Sequence, residues 1–328
     1  MNYFEQTKLG ESRWWSWIVG AAMTIIAWFV FSLILTFPLL YIANSVGIDL
    51  FGGTATVSPD TPTNSATTNP FLQVMGASPL AYILILLTYP ATLIGLYFGQ
   101  KMLHTRTLTS LHTAAKRFRW FRVIQGFFLT WFVLGAFAFC AKALGFIDVQ
   151  YVFNGKRFWI FALVSILFIP LQSATEEIVF RGYCNQGLAH FLKSKWVVFA
   201  ITSFAFMALH LSNPEALDGA ASGTLPIVMS GYFFFGFAMC LVVWIDDGLE
   251  TAIGIHAGNN CFAAIIMNYE NSVLPTPSIF LTGTDPVKDS VSTIVVLGVL
   301  VAIIWFWRGG PKNHGPSASN DTRSIAGA

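Results

Sequence analysis

Charge is what this chain has least of. Only 10% of its 328 residues are Asp, Glu, Lys or Arg, against about 25% in a typical soluble domain, and so small a share excludes an ordinary solvated surface. With a formal net charge of +2 and no basic stripe interleaved with exposed aromatics, a nucleic-acid partner is excluded as well. Cysteine is equally scarce. Cys140, Cys184, Cys240 and Cys261 all fall in or beside apolar stretches without C-x-x-C spacing, which rules out a disulfide framework and a thiolate zinc site and leaves them as small packing residues. No internal repeat and no second soluble domain are visible.

What the chain has instead is apolar length. Hydrophobic residues make up 55%, with 31 Phe and 11 Trp, and the mean hydropathy is +0.63. A hydrocarbon core about 30 Å thick needs roughly 20 apolar residues per helix. On that criterion the expected fold is all-α, a polytopic transmembrane helix bundle of about eight spans: 14–43, 80–98, 121–144, 158–180, 196–212, 226–245, 251–268 and 290–307. The first run, Trp14 to Ala43, is too long for the apolar part of a cleaved signal peptide and reads as a retained span. The gap from Asn44 to Ser78 carries no Lys or Arg, whereas Lys101 to Arg122 holds six basic residues and no acid. That asymmetry puts the basic loop in the cytoplasm, and both termini with it, in agreement with Lys8, Arg13, Arg308, Lys312 and Arg323. Lys142, Lys156 and Arg157 run against this count, the latter two being placed to snorkel. Trp14, Trp15, Trp17, Trp305 and Trp307 suit an interfacial belt. Residues 1–155 are thus expected to form an N-terminal three-span region, 156–270 a core, 271–308 the last span and 309–328 a disordered cytoplasmic tail.

Three clusters place ionisable groups in or against lipid-spanning stretches, where an unpaired charge costs several kcal/mol and marks a functional candidate. In Glu176-Glu177-x-x-x-Arg181, adjacent residues point about 100° apart, so the two acids are expected to have different roles. Glu177 and Arg181, at i and i+4, form the favourable helical ion pair. Glu176 is then the unpaired carboxylate, its proton affinity raised toward the range of acid–base chemistry. Pro170, six residues earlier, is expected to loosen the helix and admit water. His210 has Phe206 one turn before it, and by itself reads equally as an interfacial hydrogen-bonder. His256 and Asn260 share one helical stripe, as a chemical pair or as interhelical hydrogen-bonders; Asn259 points elsewhere. Asp246, Asp247 and Glu250 read as a solvated turn, and His104, His112, His190 and His314 as unremarkable loop or tail residues.

In this order and in these segments, Glu176-Glu177-Ile178-Val179-Phe180-Arg181-Gly182, Phe206-Met207-Ala208-Leu209-His210 and His256-Ala257-Gly258-Asn259-Asn260 resemble the CPBP family of membrane-embedded proteases, also called the CAAX protease and bacteriocin-processing, or Abi, family. The resemblance covers roughly Pro170 to Met267, including Gly231 to Ile255. It implies an intramembrane glutamate-type endopeptidase. Glu176 and His210 would hold and deprotonate the attacking water, while His256 and Asn260 would donate hydrogen bonds to the oxyanion, a contribution worth about 3 kcal/mol per donor. The expected partners are the lipid bilayer and a membrane-associated peptide or protein substrate. No cofactor is expected. Were zinc present, Glu176, His210 and His256 would be its ligands, against which stand the absence of an H-E-x-x-H helix and of a fourth ligand. The competing class is a non-enzymatic transporter-like or scaffold protein using the same residues for an ion or a partner. The short loops look prokaryotic, which favours a peptide or signalling substrate over a prenylated one. Depth is the one internal conflict: a fifth span starting near Trp196 lifts His210 about 20 Å from the basic-loop side, away from Glu176 and His256, unless that span begins later and runs past Leu211.

Overall fold

The computed structural model describes residues 2–50 and 69–311 of the chain. Most of the 44–78 gap and the tail from Lys312, including Arg323 and His314, lie outside the described residues. A short 3-10 helix, Tyr3–Leu9, precedes α1 (Trp14–Ser45), α2 (Pro70–Ala77), α3 (Pro79–Leu103), the single turn α4 (Thr109–His112) and α5 (Trp120–Ala143). Strand β1 (Val149–Tyr151) leads into α6 (Gly155–Glu177), which continues through a π-helical stretch, Ile178–Cys184, into α7 (Asn185–Phe191). Then follow α8 (Lys195–Ala208), α9 (Pro214–Ser222), α10 (Leu225–Asp246) and α11 (Glu250–Cys261), with a second π stretch, Phe262–Ile266, on its end. Strands β2 (Met267–Tyr269) and β3 (Phe280–Thr282) and helix α12 (Pro286–Arg308) complete the order.

The protein is an integral membrane helical bundle, but with six helices among the described residues long and apolar enough to cross a bilayer instead of eight. They are α1, α3, α5, the continuous 155–191 helix, α10 and α12. The other two expected spans fall short for different reasons. Residues 196–212 hold only the fourteen-residue α8, about 21 Å long. Residues 251–268 hold α11, which widens into a π stretch and ends in β2. α11 needs no bilayer-matched length, because it is enclosed by protein: every residue from Glu250 to Gly258 is buried. The large apolar side chains of α1, such as Ile18, Phe29 and Phe37, instead point out of the bundle, as lipid contact requires.

Helix α11 is the hub, packed between α5 and α6, with α3 behind α6 and α1 behind α3. α10 closes the other side against α8 and α12. The α5–α11 crossing depends on glycine. A Cβ on Gly254 would lie 2.1 Å from the Val123 carbonyl oxygen, one on Gly258 2.8 Å from that of Phe127, and one on Gly126 2.6 Å from that of Thr251, so the small-x-x-x-small stripe lets two backbones touch. One small departure from the all-α expectation is a three-stranded sheet ordered β1-β3-β2, antiparallel then parallel. It pairs backbone groups in the loop segments that β1, β2 and β3 occupy, where helices do not pair them.

The basic loop is not a solvated apron. Arg119 donates to both carboxylate oxygens of Glu250, Arg122 reaches Asp246, and the Arg308 guanidinium approaches the same Asp246 at 3.2 Å. Asp246 and Glu250, expected in a solvated turn, are buried; the reason is that three arginines from α12 and the start of α5 cover them. His104, expected to be unremarkable, is completely buried, with Nδ1 3.0 Å from the Glu11 carbonyl oxygen and Nε2 3.0 Å from the Tyr183 hydroxyl. Arg157 is held by the Gly76 carbonyl at 2.5 Å and lies over the Phe161 ring.

Candidate active site

The two acids at 176 and 177 sit where α6 passes into its π stretch. An extra residue per turn re-aims side chains, and such stretches recur at functional sites. Glu177 is fully enclosed and accepts from Nη1 of Arg181 at 3.1 Å; both side chains are almost inaccessible, at 0% and 1%. Arg181 in turn lies 4.3 Å above the Phe206 ring. Glu177 has a second partner: Nδ1 of His256 stands 2.8 Å from the same Oε1. A carboxylate oxygen only accepts, so Nδ1 carries the hydrogen and Nε2 faces the other way, 3.6 Å from Oε2 of Glu176. The two acids, expected to have different roles, meet the same side chain. One imidazole, with its two nitrogens on opposite edges, spans the angle between them.

Glu176 is the less enclosed acid, with 15% of its side chain exposed. It is not unpaired, contrary to the sequence reading. Gln172, one turn earlier on α6, donates Nε2 to its Oε1 at 2.5 Å. The Gln172 oxygen accepts from Nδ2 of Asn260 at 3.3 Å, so a single amide ties Glu176 to Asn260 across α6 and α11. Asn259, expected to point elsewhere, donates to the Asn260 oxygen at 3.1 Å. Gln172 had no signal in the sequence beyond being a polar residue inside an apolar helix, at the same i to i+4 spacing from Glu176 that identified the other pairs.

His210 lies in the turn after α8, with Nδ1 2.8 Å from the Phe206 carbonyl oxygen. That carbonyl can only accept, which leaves Nε2 as the free base. The ring packs against Phe206 at 4.5 Å and stacks on Tyr232 at 4.3 Å. Glu176 and His256 are within electrostatic reach of it, and the Phe206 ring also contacts His256, centroids 6.2 Å apart. The structure thus gathers Glu176, His210, His256 and Asn260 around one region bounded by α6, α8 and α11.

The depth conflict is resolved differently from the sequence expectation. α8 begins at Lys195 and stops at Ala208, so it neither starts late nor runs past Leu211. It is Glu176 that stands higher, because its helix continues to Phe191, placing the acid about 20 Å above that end. His256 is raised too. The Leu249 N–H donates to the His112 carbonyl at 2.7 Å, and the Tyr3 hydroxyl reaches the carbonyl oxygens of Leu111 and Arg181, so the basic loop folds up under the π stretch and carries the start of α11 with it. Among the described residues no three His, Cys, Asp or Glu side chains form a group able to hold a metal ion.

Two acids, two imidazoles and the carboxamides of Gln172 and Asn260 are thus gathered inside a multi-span helical bundle. Residues 155–262 match the family model described as Type II CAAX prenyl endopeptidase Rce1-like. The chain is also 27% identical over 237 residues to "Uncharacterized protein YyaK" of Bacillus subtilis (strain 168), an alignment covering 69% of this chain and 74% of that protein. No solved structure matches it.

Proposed function

We propose that the chain is an intramembrane endopeptidase that hydrolyses a peptide bond in a membrane-associated peptide or protein, with Glu176 and His210 activating water. The observation that carries this reading is the state of Glu176: a partly exposed carboxylate inside a lipid-spanning bundle, fixed by Gln172 at 2.5 Å and facing Nε2 of His256 at 3.6 Å. Glu177 pairs with Arg181, whereas Glu176 has no Lys or Arg partner and meets the His256 ring instead.

In the reaction, a water between Glu176 and His210 gives its proton to this pair as its oxygen attacks the scissile carbonyl carbon. The carbonyl π electrons move to oxygen, and the resulting oxyanion accepts from Nδ2 of Asn260 and Nε2 of His256. Donation from His256 is through Nε2, since Nδ1 already serves Glu177. Collapse of the intermediate breaks the C–N bond, and the proton held by the acid–base pair passes to the leaving amine. Donors preorganised in a low-dielectric site are worth more than in water. The substrate class favoured is a peptide or protein segment already in the membrane, because the enclosing surface is lipid-facing and apolar.

The test compares new C-termini in the membrane proteome of cells making the wild-type protein or Glu176→Gln at equal abundance. A set of termini that depends on Glu176 is expected. Identical termini in both would remove the peptidase reading, and a partial defect would favour a binding role.

A further inference from the structure

A second polar group packs against His210. The His210 ring stacks on Tyr232 of α10 with 30° between the planes. The Tyr232 hydroxyl donates to Oε1 of Glu215, in the first turn of α9, and accepts from Nδ2 of Asn213 at 2.8 Å. Tyr269 of β2 donates to the same Oε1 at 3.2 Å. Tyrosines from α10 and β2 thus converge on one carboxylate of α9. Oε2 of Glu215 is enclosed and has no hydrogen-bond partner among the described residues, an arrangement that costs stability. Glu215 belongs to none of the three motifs, yet it is within electrostatic reach of His210.

We propose that Glu215, acting through Tyr232, is a positioning residue for His210: it fixes the plane of the ring and supplies the negative charge that steadies it when Nε2 takes a proton. The assignment rests on His210 being part of the water-activating pair. With Nδ1 committed to the Phe206 carbonyl, the plane of the ring is set by the rings packed on it: Phe206, centroids 4.5 Å apart and tilted by 44°, and Tyr232, stacked at 4.3 Å. The hydrogen bond to Glu215 stops the tyrosine from swinging away. The charged and titratable groups facing His210 are Glu176 from α6, His256 from α11, Glu215 from α9 and Tyr232 from α10. Glu176 exchanges a proton in the proposed reaction, whereas Glu215 lies outside it and accepts from two tyrosine hydroxyls. A fixed negative charge favours the protonated ring, so neutralising Glu215 makes His210 a weaker base.

The experiment is an NMR titration of histidine-labelled full-length protein in lipid nanodiscs, with the His210 signal assigned by its loss in His210→Asn. Glu215→Gln is expected to lower the His210 midpoint by about half a pH unit, roughly a threefold loss of proton affinity. Tyr232→Phe, which keeps the carboxylate but frees the ring, is expected to shift it less and to broaden the signal. An unchanged midpoint and line width in both variants, with the other histidine signals intact, overturns the assignment. Should Glu215→Gln fail to fold, Tyr232→Phe alone decides through its line width. The same variants are scored for the new C-termini that depend on Glu176, where Glu215→Gln is expected to lose about tenfold. A shifted midpoint with no Glu176-dependent termini at all supports the coupling between Glu215 and His210 and rejects the peptidase reading, so the two failures are told apart.

Discussion

At the scale of the residue, two carboxylates next to each other in sequence have opposite surroundings. Glu177 is sealed between Arg181 and His256, and even so its Oε2 and the Nη2 of Arg181 have no partner among the described residues. Burial of such a pair is weakly stabilising at best, although removing one member is costly; its evident use is to hold the His256 ring at a set angle. Glu176 keeps access to the interior of the site and is steadied by an amide, which donates without adding charge. Gln172 is therefore expected to matter more for turnover than for folding. Gln172→Leu removes the donor to Glu176 and the acceptor for Asn260 together, and a hydrogen bond to a charged group is worth about 1.5–3 kcal/mol. The rate of appearance of Glu176-dependent C-termini should fall by about 10- to 100-fold, while the thermal transition in detergent, followed with a thiol-reactive dye on buried Cys240 and Cys261, stays near that of the wild type. Equal rates in the two proteins would show that the amide link is incidental.

At the scale of the element, the motif spacings were readable because each joins residues one helical turn apart: Glu177 with Arg181, Phe206 with His210, His256 with Asn260. Each of these pairs lies within or at the end of a single helix and needs no knowledge of its neighbours. Gln172, Tyr232 and Glu215 were not readable, since their significance depends on what they face across α6, α10 and α9. The π stretches were hidden for a related reason. Each starts within two residues of a site residue, at Ile178 and at Phe262, and one additional residue per turn leaves no mark on a uniformly apolar pattern. The α5–α11 crossing offers the sharpest test at this scale, because His256 lies between Gly254 and Gly258 on the helix that makes it. In Gly254→Ala the new methyl would meet the Val123 carbonyl oxygen at 2.1 Å, and backbone cannot yield as a flexible side chain does. Loss of turnover and a lower thermal transition are expected together. Gly135→Ala on the same α5, where nothing lies within 4 Å of the added Cβ, should leave turnover unchanged and gain up to about 1 kcal/mol from helix propensity. If both alanines behaved alike, the close approach would not be what sets His256.

At the scale of the whole molecule, the apolar composition gave the bundle but not its hub. α11 carries Glu250, His256 and Asn260 along a short helix, and it can do so because other helices, not lipid, surround it. For the same reason span counting overshot: a helix enclosed by protein needs no bilayer-matched length. The basic loop was misjudged through distance along the chain. Arg119 and Arg122 lie more than a hundred residues before the acids they cover, so a run of basic residues and a run of acids each looked solvated alone. Folded inward, this region buries His104 completely and His112 partly, both outside the spanning helices. Burial is the largest influence on both His104 and His112 and pushes each below the ordinary histidine value of 6.5, against the backbone carbonyls of Glu11 and Leu108, which favour the proton. In the unfolded chain the same groups take protons as the pH falls below about 6.5. The unfolded state then binds more protons than the native one, so stability rises with pH across this window. Their contribution is complete above 6.5 and declines as the pH falls from there toward the depressed native values. The thermal transition of the protein in nanodiscs should therefore fall between pH 7.5 and 5.5, and the fall should be smaller in a His104→Gln, His112→Gln double variant, whose amides have nothing to protonate. A double variant with the same pH slope as the wild type would mean that the acid sensitivity arises elsewhere and that the inward-folded loop does not couple protons to the stability of the bundle.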